Sequence, residues 1–308
     1  MQSVNFDIEC LVSDDCSDDG TSEIISEFEN ENKSLIFHVN RTHRLGQYTG
    51  NGRFSFLHTL SLSGGKYIAF INGDDYWTDP YKLQKQVDYL EANPECSICT
   101  HWVKTKILDK DPIEEYEVSG KNRSKIITSS DMFIDRGKKT LRGIHFMSLS
   151  IVARSRCFKF KNKILEKIPG GDNAIWINAL EYGYAYCIPE FMGVYRRHQG
   201  GVFSLQHPAK NTLRHIVTLE YIKKYYPKYR KRLDFLRKNS FHSLLNWEMQ
   251  KDYSKVFLKE AFHLILKHKI IRKHFMYLVS IFFINKIING ILLIKIYIGQ
   301  LKKSLIKS

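Results

Sequence analysis

The chain has 308 residues, of which 43% are hydrophobic, so it can bury a sizeable core and does not have the composition of a disordered protein. Its formal net charge of +15 is uneven, because residues 205–308 hold 22 of the 47 Lys and Arg but only 5 of the 32 Asp and Glu. A near-neutral globular part, residues 1–204, is therefore followed by a strongly basic one.

Cysteine usage indicates the compartment. The chain has six cysteines and begins without the pattern of a secretory signal peptide, which predicts a reducing cytoplasm. Cys96 and Cys99 form a C-x-x-C with His101 just beyond, but no second Cys/His pair at ligand spacing follows. Since Ser97–Cys99 is also predicted to be a strand, we expect no zinc or redox role for this pair.

The first 92 residues alternate short apolar runs with stretches at helical spacing, which predicts parallel strand pairing in an α/β sheet. The predicted elements are, in chain order, a strand at Ile8–Val12, a helix at Ser22–Glu29, a strand at Ser34–Val39, a helix at Thr49–Ser61, a strand at Lys66–Ile71 and a helix from Pro80 to about Ala92. In the last helix the spacing predicts that Leu83, Val87 and Leu90 face inward. The apolar run Tyr67–Ile71 is expected to be a buried central strand.

The next part of the chain is less regular. Residues 104–140 are polar and are predicted to be loop and short helix. The elements expected after them are a strand within Arg142–Ala153, a helix at Asp172–Tyr182 ended by Gly183, a strand at Tyr184–Ile188, a basic mobile loop at Gly193–Ser204 and basic, aromatic-rich helices beyond Leu205.

Two pairs of adjacent carboxylates follow predicted strands. Asp14 and Asp15 come after the first, and Asp74 and Asp75 after the strand at Lys66–Ile71. Because the carboxyl ends of parallel strands form the ligand crevice of an α/β sheet, we expect both pairs to face one crevice. Adjacent carboxylates repel each other, and Mg²⁺ or Mn²⁺ removes that cost. The alternative for the second pair is a turn that caps the following helix.

Four sequence blocks occur in the order VSDDCSDDGTSEII, GKYIAFINGDDYWTDPYKLQKQVDYLEANPE, GGDNAIWINALEYG and GVYRRHQGGVFS. Together they resemble family 2 glycosyltransferases with the GT-A fold, over roughly residues 1–204. The resemblance implies an α/β fold in which a Rossmann-like, mostly parallel sheet is flanked by helices. Residues 205–308 would form a separate basic helical region.

The resemblance also implies a nucleotide-sugar donor, a divalent cation (Mn²⁺ or Mg²⁺) and inversion at the anomeric carbon. Asp15 matches the acid that binds the base of uridine donors, with Asp14 beside it in the donor-binding loop. Asp74 and Asp75 match the metal-binding motif, and Asp75 is the implied direct ligand. Asn72 stands where many members have an acid, which implies a contact with the ribose or the metal.

The third block implies the general base. Asp172 matches the catalytic acid residue of the family, and as a base it would take the proton from an acceptor hydroxyl while that oxygen attacks the sugar. The local sequence fits a second role equally well, because Asp directly before a helical stretch is a good N-cap.

The fourth block implies a basic lid. Arg196 and Arg197 would bring positive charge over the donor diphosphate, and His198 would complete the metal shell. A solvated basic loop is the alternative for these residues.

Family members begin with an additional strand and helix whose loop helps to bind the nucleotide. Met1 and Gln2 match the end of that helix, so one strand–helix unit of about 30 residues is expected to be missing, either because the start codon was assigned too late or because the chain has lost part of its donor pocket. Its loss would leave a sheet position open.

The basic tail has two apolar segments, Phe275–Asn285 and Ile287–Ile294, which Lys286 and Lys295 interrupt. Neither reaches the roughly 18 residues of a spanning helix, so an interfacial helix on an anionic leaflet is favoured. Ordinary helix packing is the first alternative, and nucleic-acid binding is the weakest.

These features predict a cytoplasmic, membrane-peripheral, metal-dependent glycosyltransferase that extends a surface polysaccharide or a lipid-linked glycan. We expect no nucleic-acid partner. Two alternatives stay open: a non-catalytic binding or scaffold protein with the same fold, and a metal-dependent nucleotidyltransferase.

Overall fold

The computed structural model describes residues 2–14, 16–32, 36–39, 53–107, 114–118, 126–129, 131–133, 146–159, 168, 172–198 and 208–248. Its helices are α1 (Thr21–Glu31), α2 (Arg53–Leu62), α3 (Lys82–Ala92), α4 (Asp172–Leu180), α5 (Pro208–Tyr225) and α6 (Arg230–Glu248). Its strands are β1 (Cys10–Ser13), β2 (Ile36–Val39), β3 (Tyr67–Ala69), β4 (Tyr76–Trp77), β5 (Cys96–Ile107), β6 (Glu114–Val118), β7 (Ile126–Ile127), β8 (Val152–Arg154) and β9 (Tyr184–Arg197).

The strands form two sheets. β1 and β2 pair in parallel as one sheet, while the larger sheet has the order β3-β8-β5-β9-β4, with β6 paired to β5 and β7 to β9. The long central pair, β5 with β9, is parallel, whereas β3, β4, β6, β7 and β8 join their neighbours antiparallel. The predicted α/β class is confirmed, and the strand directions within it are mixed.

Helix α3 shows why the early helix predictions succeed. Leu83 and Leu90 are buried and Val87 packs against the same cluster, so the apolar face predicted from the 3.6-residue spacing meets the sheet. Residues 2–9 lie along this helix, since the backbone N–H of Ser3 donates to the carbonyl of Pro80 and Gln2 Oε1 accepts from the N–H of Leu83.

The prediction of loop and short helix over residues 104–140 is wrong for residues 104–107, 114–118 and 126–127, which are strands, whereas Asp131–Phe133 does form a short 3₁₀ helix. β5 continues to Ile107, and β6 and β7 follow. Val103 and Thr105 are buried while Lys104 is partly exposed, so a polar composition conceals the period of two that marks a half-buried strand. β9 likewise extends through Arg197, where a mobile loop was expected.

The prediction of a buried central strand at Tyr67–Ile71 is also wrong. β3 has three residues, lies at the end of the sheet order, and none of its residues is buried. Ile71 is 47% exposed. An apolar run is buried only when neighbouring strands cover it, and among the described strands β3 pairs with β8 alone.

One core joins the sheet to the helices on one of its faces. Trp176 and Ile177 of α4 pack with Ile222 of α5 and Leu233 of α6 in the same buried cluster as Ile98 of β5. Helices α5 and α6 confirm the predicted helical character after Leu205, and residues 249–308 lie outside the described part. The division of the chain at residue 204 stays a prediction.

Gly183, between α4 and β9, is expected to tolerate no side chain. A Cβ there would lie 2.0 Å from the carbonyl oxygen of Glu95, which is backbone and cannot move aside. We expect Gly183→Ala to lower the free energy of unfolding by about 1–3 kcal/mol, measured by urea denaturation. Gly73→Ala is the matched control, because a Cβ there meets nothing within 4 Å. Equal stability of the two variants would contradict the close approach.

Candidate functional site

The acid pair lies on a turn between β3 and β4. The backbone N–H of Asp75 donates to the carbonyl of Asn72 at 3.1 Å, which closes the turn. β4 follows directly and pairs antiparallel with β9, Tyr76 opposite Val194. This pairing places the acid pair beside the carboxyl end of β9, where the basic residues of the fourth block begin.

The acid pair does not cap α3, which removes the alternative left open by the sequence. Asp79 binds near the start of the helix instead: its Oδ1 accepts from the N–H of Tyr81, the residue before α3, at 2.8 Å, and its Oδ2 accepts from Lys85 Nζ at 2.8 Å. The carboxylates of Asp74 and Asp75 are therefore directed to other partners.

Asp75 is a buried carboxylate, 7% exposed. Its Oδ1 accepts from the backbone N–H of Arg196 at 3.0 Å, and its Oδ2 lies 3.5 Å from Asn72 Nδ2, the long end of the hydrogen-bond range. Burial raises the pKa of Asp75 to about 6, and the neighbouring charge of Asp74 contributes to the rise. A bound cation would offset both the cost of burying the Asp75 carboxylate and its repulsion from Asp74.

Asp74 contacts two of the predicted basic residues. His198 Nε2 lies 3.3 Å from Asp74 Oδ2, and Arg196 Nε donates to the backbone carbonyl of Asp74. Arg196 is thus part of β9 and holds the acid turn in place, which corrects its prediction as a residue of a mobile loop. Arg197 is exposed at the end of the strand.

The donor set fits a divalent cation that also takes ligands from its substrate. Over the described ranges, no group of three or more His, Cys, Asp or Glu side chains forms a metal cluster. Mg²⁺ and Mn²⁺ sites in nucleotide-dependent enzymes commonly use one or two carboxylates and complete the shell with phosphate and water. Asp75 Oδ2, with Asp74 and His198 beside it, meets that requirement.

Asp172 is the first residue of α4, and its side chain is exposed. Its charge acts on the half-buried hydroxyl of Tyr195: burial raises the pKa of Tyr195, and Asp75, Asp74 and Asp172 raise it further. The structure therefore brings Asp172 and the acid pair into one electrostatic neighbourhood around Tyr195. No sequence argument assigned a role to Tyr195, although its position just before Arg196 in the fourth block could have indicated one.

The first acid pair is described only in part. Asp14 is buried at the end of β1, where its carboxylate accepts from the backbone N–H of Ser17 at 3.0 Å and from the Ser17 hydroxyl. The side chain thus shapes its own loop. Asp15 lies outside the described residues, so its predicted contact with the donor base stays a prediction.

Cys96 and Cys99 lie inside the sheet. Both are buried in β5, and burial raises the pKa of Cys96 to about 11 and also raises that of Cys99. Thiols that are hard to ionise are poor nucleophiles and weak metal ligands, so their environment suits core packing.

The raised pKa of Asp75 predicts that the stability of the metal-free protein depends on pH. The carboxyl ionises near 3.8 in the unfolded chain but near 6 in the folded chain. The folded state therefore favours the protonated carboxyl, which contributes up to about 3 kcal/mol to the free energy of unfolding. This contribution is complete below pH 3.8 and is lost as the pH rises through about 6. Urea unfolding in EDTA should show this decrease in wild type and a flatter profile in Asp75→Asn. Identical profiles would contradict the burial of an ionisable Asp75.

Comparison with known proteins gives a family for the matched region. Residues 3–155, which include the acid turn, match the family model described as glycosyl transferase family 2. An uncharacterized glycosyltransferase of Methanocaldococcus jannaschii is 29% identical over 93 residues, 30% of each chain. A Bacillus subtilis protein named as a candidate teichuronic acid biosynthesis glycosyltransferase, TuaG, is 30% identical over 82 residues, 27% of this chain and 30% of its own.

A longer match involves a protein without an assigned activity. An uncharacterized protein of Mycobacterium tuberculosis is 30% identical over 202 residues, which cover 66% of this chain and 54% of that protein. The chain therefore spans about half the length of this relative.

Proposed function

We propose that the chain, whose residues 3–155 match the model of glycosyl transferase family 2, transfers a sugar from a nucleotide-sugar donor to a hydroxyl of a glycan or lipid-linked acceptor. The observation that carries the proposal is the acid turn, which lies within the matched residues: Asp75 is buried, its pKa is raised, and the N–H of Arg196 in β9 donates to it. Such an arrangement suits a residue that binds a cation and a diphosphate.

Asp75 and Asp74 would hold Mn²⁺ or Mg²⁺, with His198 as a third ligand. When bound, the cation would neutralise charge on the departing nucleoside diphosphate. The chain's own residues do the rest of the positioning. Arg196 fixes the turn through its backbone N–H and its Nε, and Arg197, exposed beside it, would contact the diphosphate.

Donor and acceptor would meet between the acid turn and α4. Asn72, exposed on the turn, would contact the ribose, and Asp14 and Asp15 would line the base side of the donor pocket. Asp172 would accept the proton of the acceptor hydroxyl while that oxygen attacks the sugar. This direct displacement of the nucleoside diphosphate would invert the configuration at the anomeric carbon. Its exposed position at the first turn of α4 leaves the carboxylate open to an acceptor.

A surface polysaccharide or lipid-linked glycan is the proposed acceptor, in line with the name of the B. subtilis relative. We further propose that the chain acts on the cytoplasmic face of a membrane. No helix of the described part is long and apolar enough to cross a bilayer. The end of α5, the turn after it and the first part of α6 expose basic side chains and one aromatic ring: Lys224, Lys228, Arg230, Lys231, Arg232, Phe235 and Lys238.

Vesicle binding tests the membrane proposal. Electrostatic attraction predicts that the full chain sediments with vesicles containing phosphatidylglycerol and much less with neutral phosphatidylcholine vesicles, and that salt weakens the binding. A double variant, Arg230→Glu with Lys231→Glu, should lose part of the binding. Equal sedimentation with both lipids would contradict an electrostatic membrane contact.

Product analysis tests the transfer proposal. The full chain is incubated with UDP-, GDP- and dTDP-sugars and Mn²⁺, and the released nucleotide is identified. Release of a nucleoside diphosphate that EDTA abolishes is expected. Release of pyrophosphate would instead support a nucleotidyltransferase, and no turnover with any donor, together with no Mn²⁺ binding, would support a non-catalytic protein.

A further inference from the structure

A group of buried polar atoms lies between α3 and β5. Lys82 and Gln86 are one turn apart on α3 and fully buried, and His101 of β5 is 4% exposed. Lys82 Nζ, Gln86 Oε1 and His101 Nε2 have no hydrogen-bond partner among the residues that the structure describes. A buried polar atom without a hydrogen-bond partner lowers the stability of the fold, so we expect a bound ligand to satisfy these three atoms.

The three side chains face one interface. Gln86 Nε2 donates to the carbonyl of Cys99 at 2.7 Å, and His101 follows two residues later, on the same face of β5 as Cys99. After burial itself, the charge of Lys82 is the next cause of the lowered pKa of His101, and Cys99 acts on Lys82 in turn. Lys82 lies one turn before Gln86 on α3 and therefore faces the same interface.

The hydrogen-bond roles of Gln86 and His101 follow from their neighbours. Gln86 Nε2 donates to two carbonyls, those of Cys99 at 2.7 Å and Ser150 at 2.9 Å, so the amide orientation is fixed and Oε1 is the remaining acceptor. His101 Nδ1 lies 2.7 Å from the carbonyl oxygen of Trp102, which can only accept, so Nδ1 carries the proton. Burial lowers the pKa of His101 to about 3, although the backbone of Trp102 and Leu149 acts in the opposite direction, so the ring is neutral. With the proton on Nδ1, Nε2 is an acceptor.

We propose that Lys82, Gln86 and His101 hold one internal water molecule, which accepts a hydrogen bond from Lys82 Nζ and donates to Gln86 Oε1 and His101 Nε2. One donor opposite two acceptors matches the capacity of water, and buried waters in proteins make about three hydrogen bonds. An anion would satisfy neither acceptor. A metal cation would meet the amine of Lys82, which is repulsive when protonated.

The water site supports the strand that follows the acid turn. Lys82 Nζ lies 4.1 Å from the centroid of the Trp77 ring, and the indole N–H of Trp77 donates to the carbonyl of Leu149 at 2.8 Å. Trp77 belongs to β4, which begins directly after Asp75. The water thus links α3 to β5 next to Trp77 of β4. This inference does not depend on the proposed sugar transfer.

A crystal structure of the full chain, at a resolution that shows ordered waters, tests the site directly. We expect one water peak at about 2.7–3.2 Å from all three atoms. In Lys82→Met, which keeps the chain length but removes the amine, this peak should be lost. In Lys85→Met, its matched control on the same helix, the peak should remain. Lys82 Nζ donating directly to Gln86 or His101, with no density between them, would overturn the proposal.

The tautomer of His101 gives a second test that needs no variant to fold. In protein labelled with ¹⁵N-histidine, we expect the His101 ring to be protonated at Nδ1, with Nε2 in the chemical-shift range of a hydrogen-bonded acceptor, and an NOE from water to its Hε1. A proton on Nε2 would overturn the assignment of the second acceptor, and absence of the water NOE would overturn the bound water.

Discussion

Replacing Asp75 with Asn should lower the rate of Mn²⁺-dependent sugar transfer by at least about 100-fold, because even residues outside the ligand shell of a metal site typically cost roughly 10–100-fold when lost. The substitution removes the negative charge and leaves the shape of the side chain. Asn Oδ1 can still accept from the N–H of Arg196, which lies 3.0 Å from Asp75 Oδ1 in wild type. The acid turn should therefore stay in place.

The Asp75→Asn experiment separates chemistry from folding. Nucleoside diphosphate release and Mn²⁺ affinity, measured by the EPR signal of unbound Mn²⁺, should both fall. The free energy of unfolding at neutral pH in EDTA should stay the same or rise, since a buried carboxylate with a raised pKa is no longer ionised. Asp88→Asn, an exposed acid on α3, should match wild type in every measurement. Wild-type Mn²⁺ affinity in Asp75→Asn would sink the metal assignment.

Replacing Asp172 with Asn should lower kcat by about 100- to 10,000-fold, the range that a positioned general base contributes. Asp172 is exposed at the start of α4, and its carboxylate is proposed to act only on the acceptor hydroxyl. Mn²⁺ affinity and the KM for the donor should therefore change little. This split between kcat and KM distinguishes loss of a base from damage to the donor site.

A series at position 172 distinguishes the base from a helix-capping residue. Asn and Ser both favour helix starts but cannot act as a base, whereas Ala lacks both properties and should cost about 1 kcal/mol of stability if capping matters. If Asp172 is the base, the Asn, Ser and Ala variants all lose turnover. If Asp172 only begins the helix, the Asn and Ser variants keep wild-type turnover and Ala alone is affected. That second result would remove Asp172 from the mechanism.

Local pattern was sufficient for several features of the fold. Spacing alone predicted α3, with Leu83 and Leu90 inward, and it predicted α4 up to the stop near Gly183. The order of four short blocks predicted the family. These features succeed because helical periodicity and the residue types of an acid motif are properties of neighbouring residues, which a sequence displays directly.

Long-range contacts decided the rest. The exposure of β3 and the extension of β5 and β9 depend on which strands lie beside them, and composition does not report this. The same holds for the site: its hydrogen bond from Arg196 to Asp75 joins residues 121 positions apart. It forms because β4 pairs with β9, although the sequence suggested a mobile loop there.

The sequence by itself thus determined which side chains are available. These are two acids on a turn, a third acid at a helix start, and the arginines and histidine of the fourth block. Tertiary structure decided that Asp75 is buried, that Arg196 holds the turn instead of covering it, and that the charges of all three acids act on Tyr195. The physical reason is that burial and charge interactions depend on distance in space, and strand pairing sets that distance independently of separation along the chain.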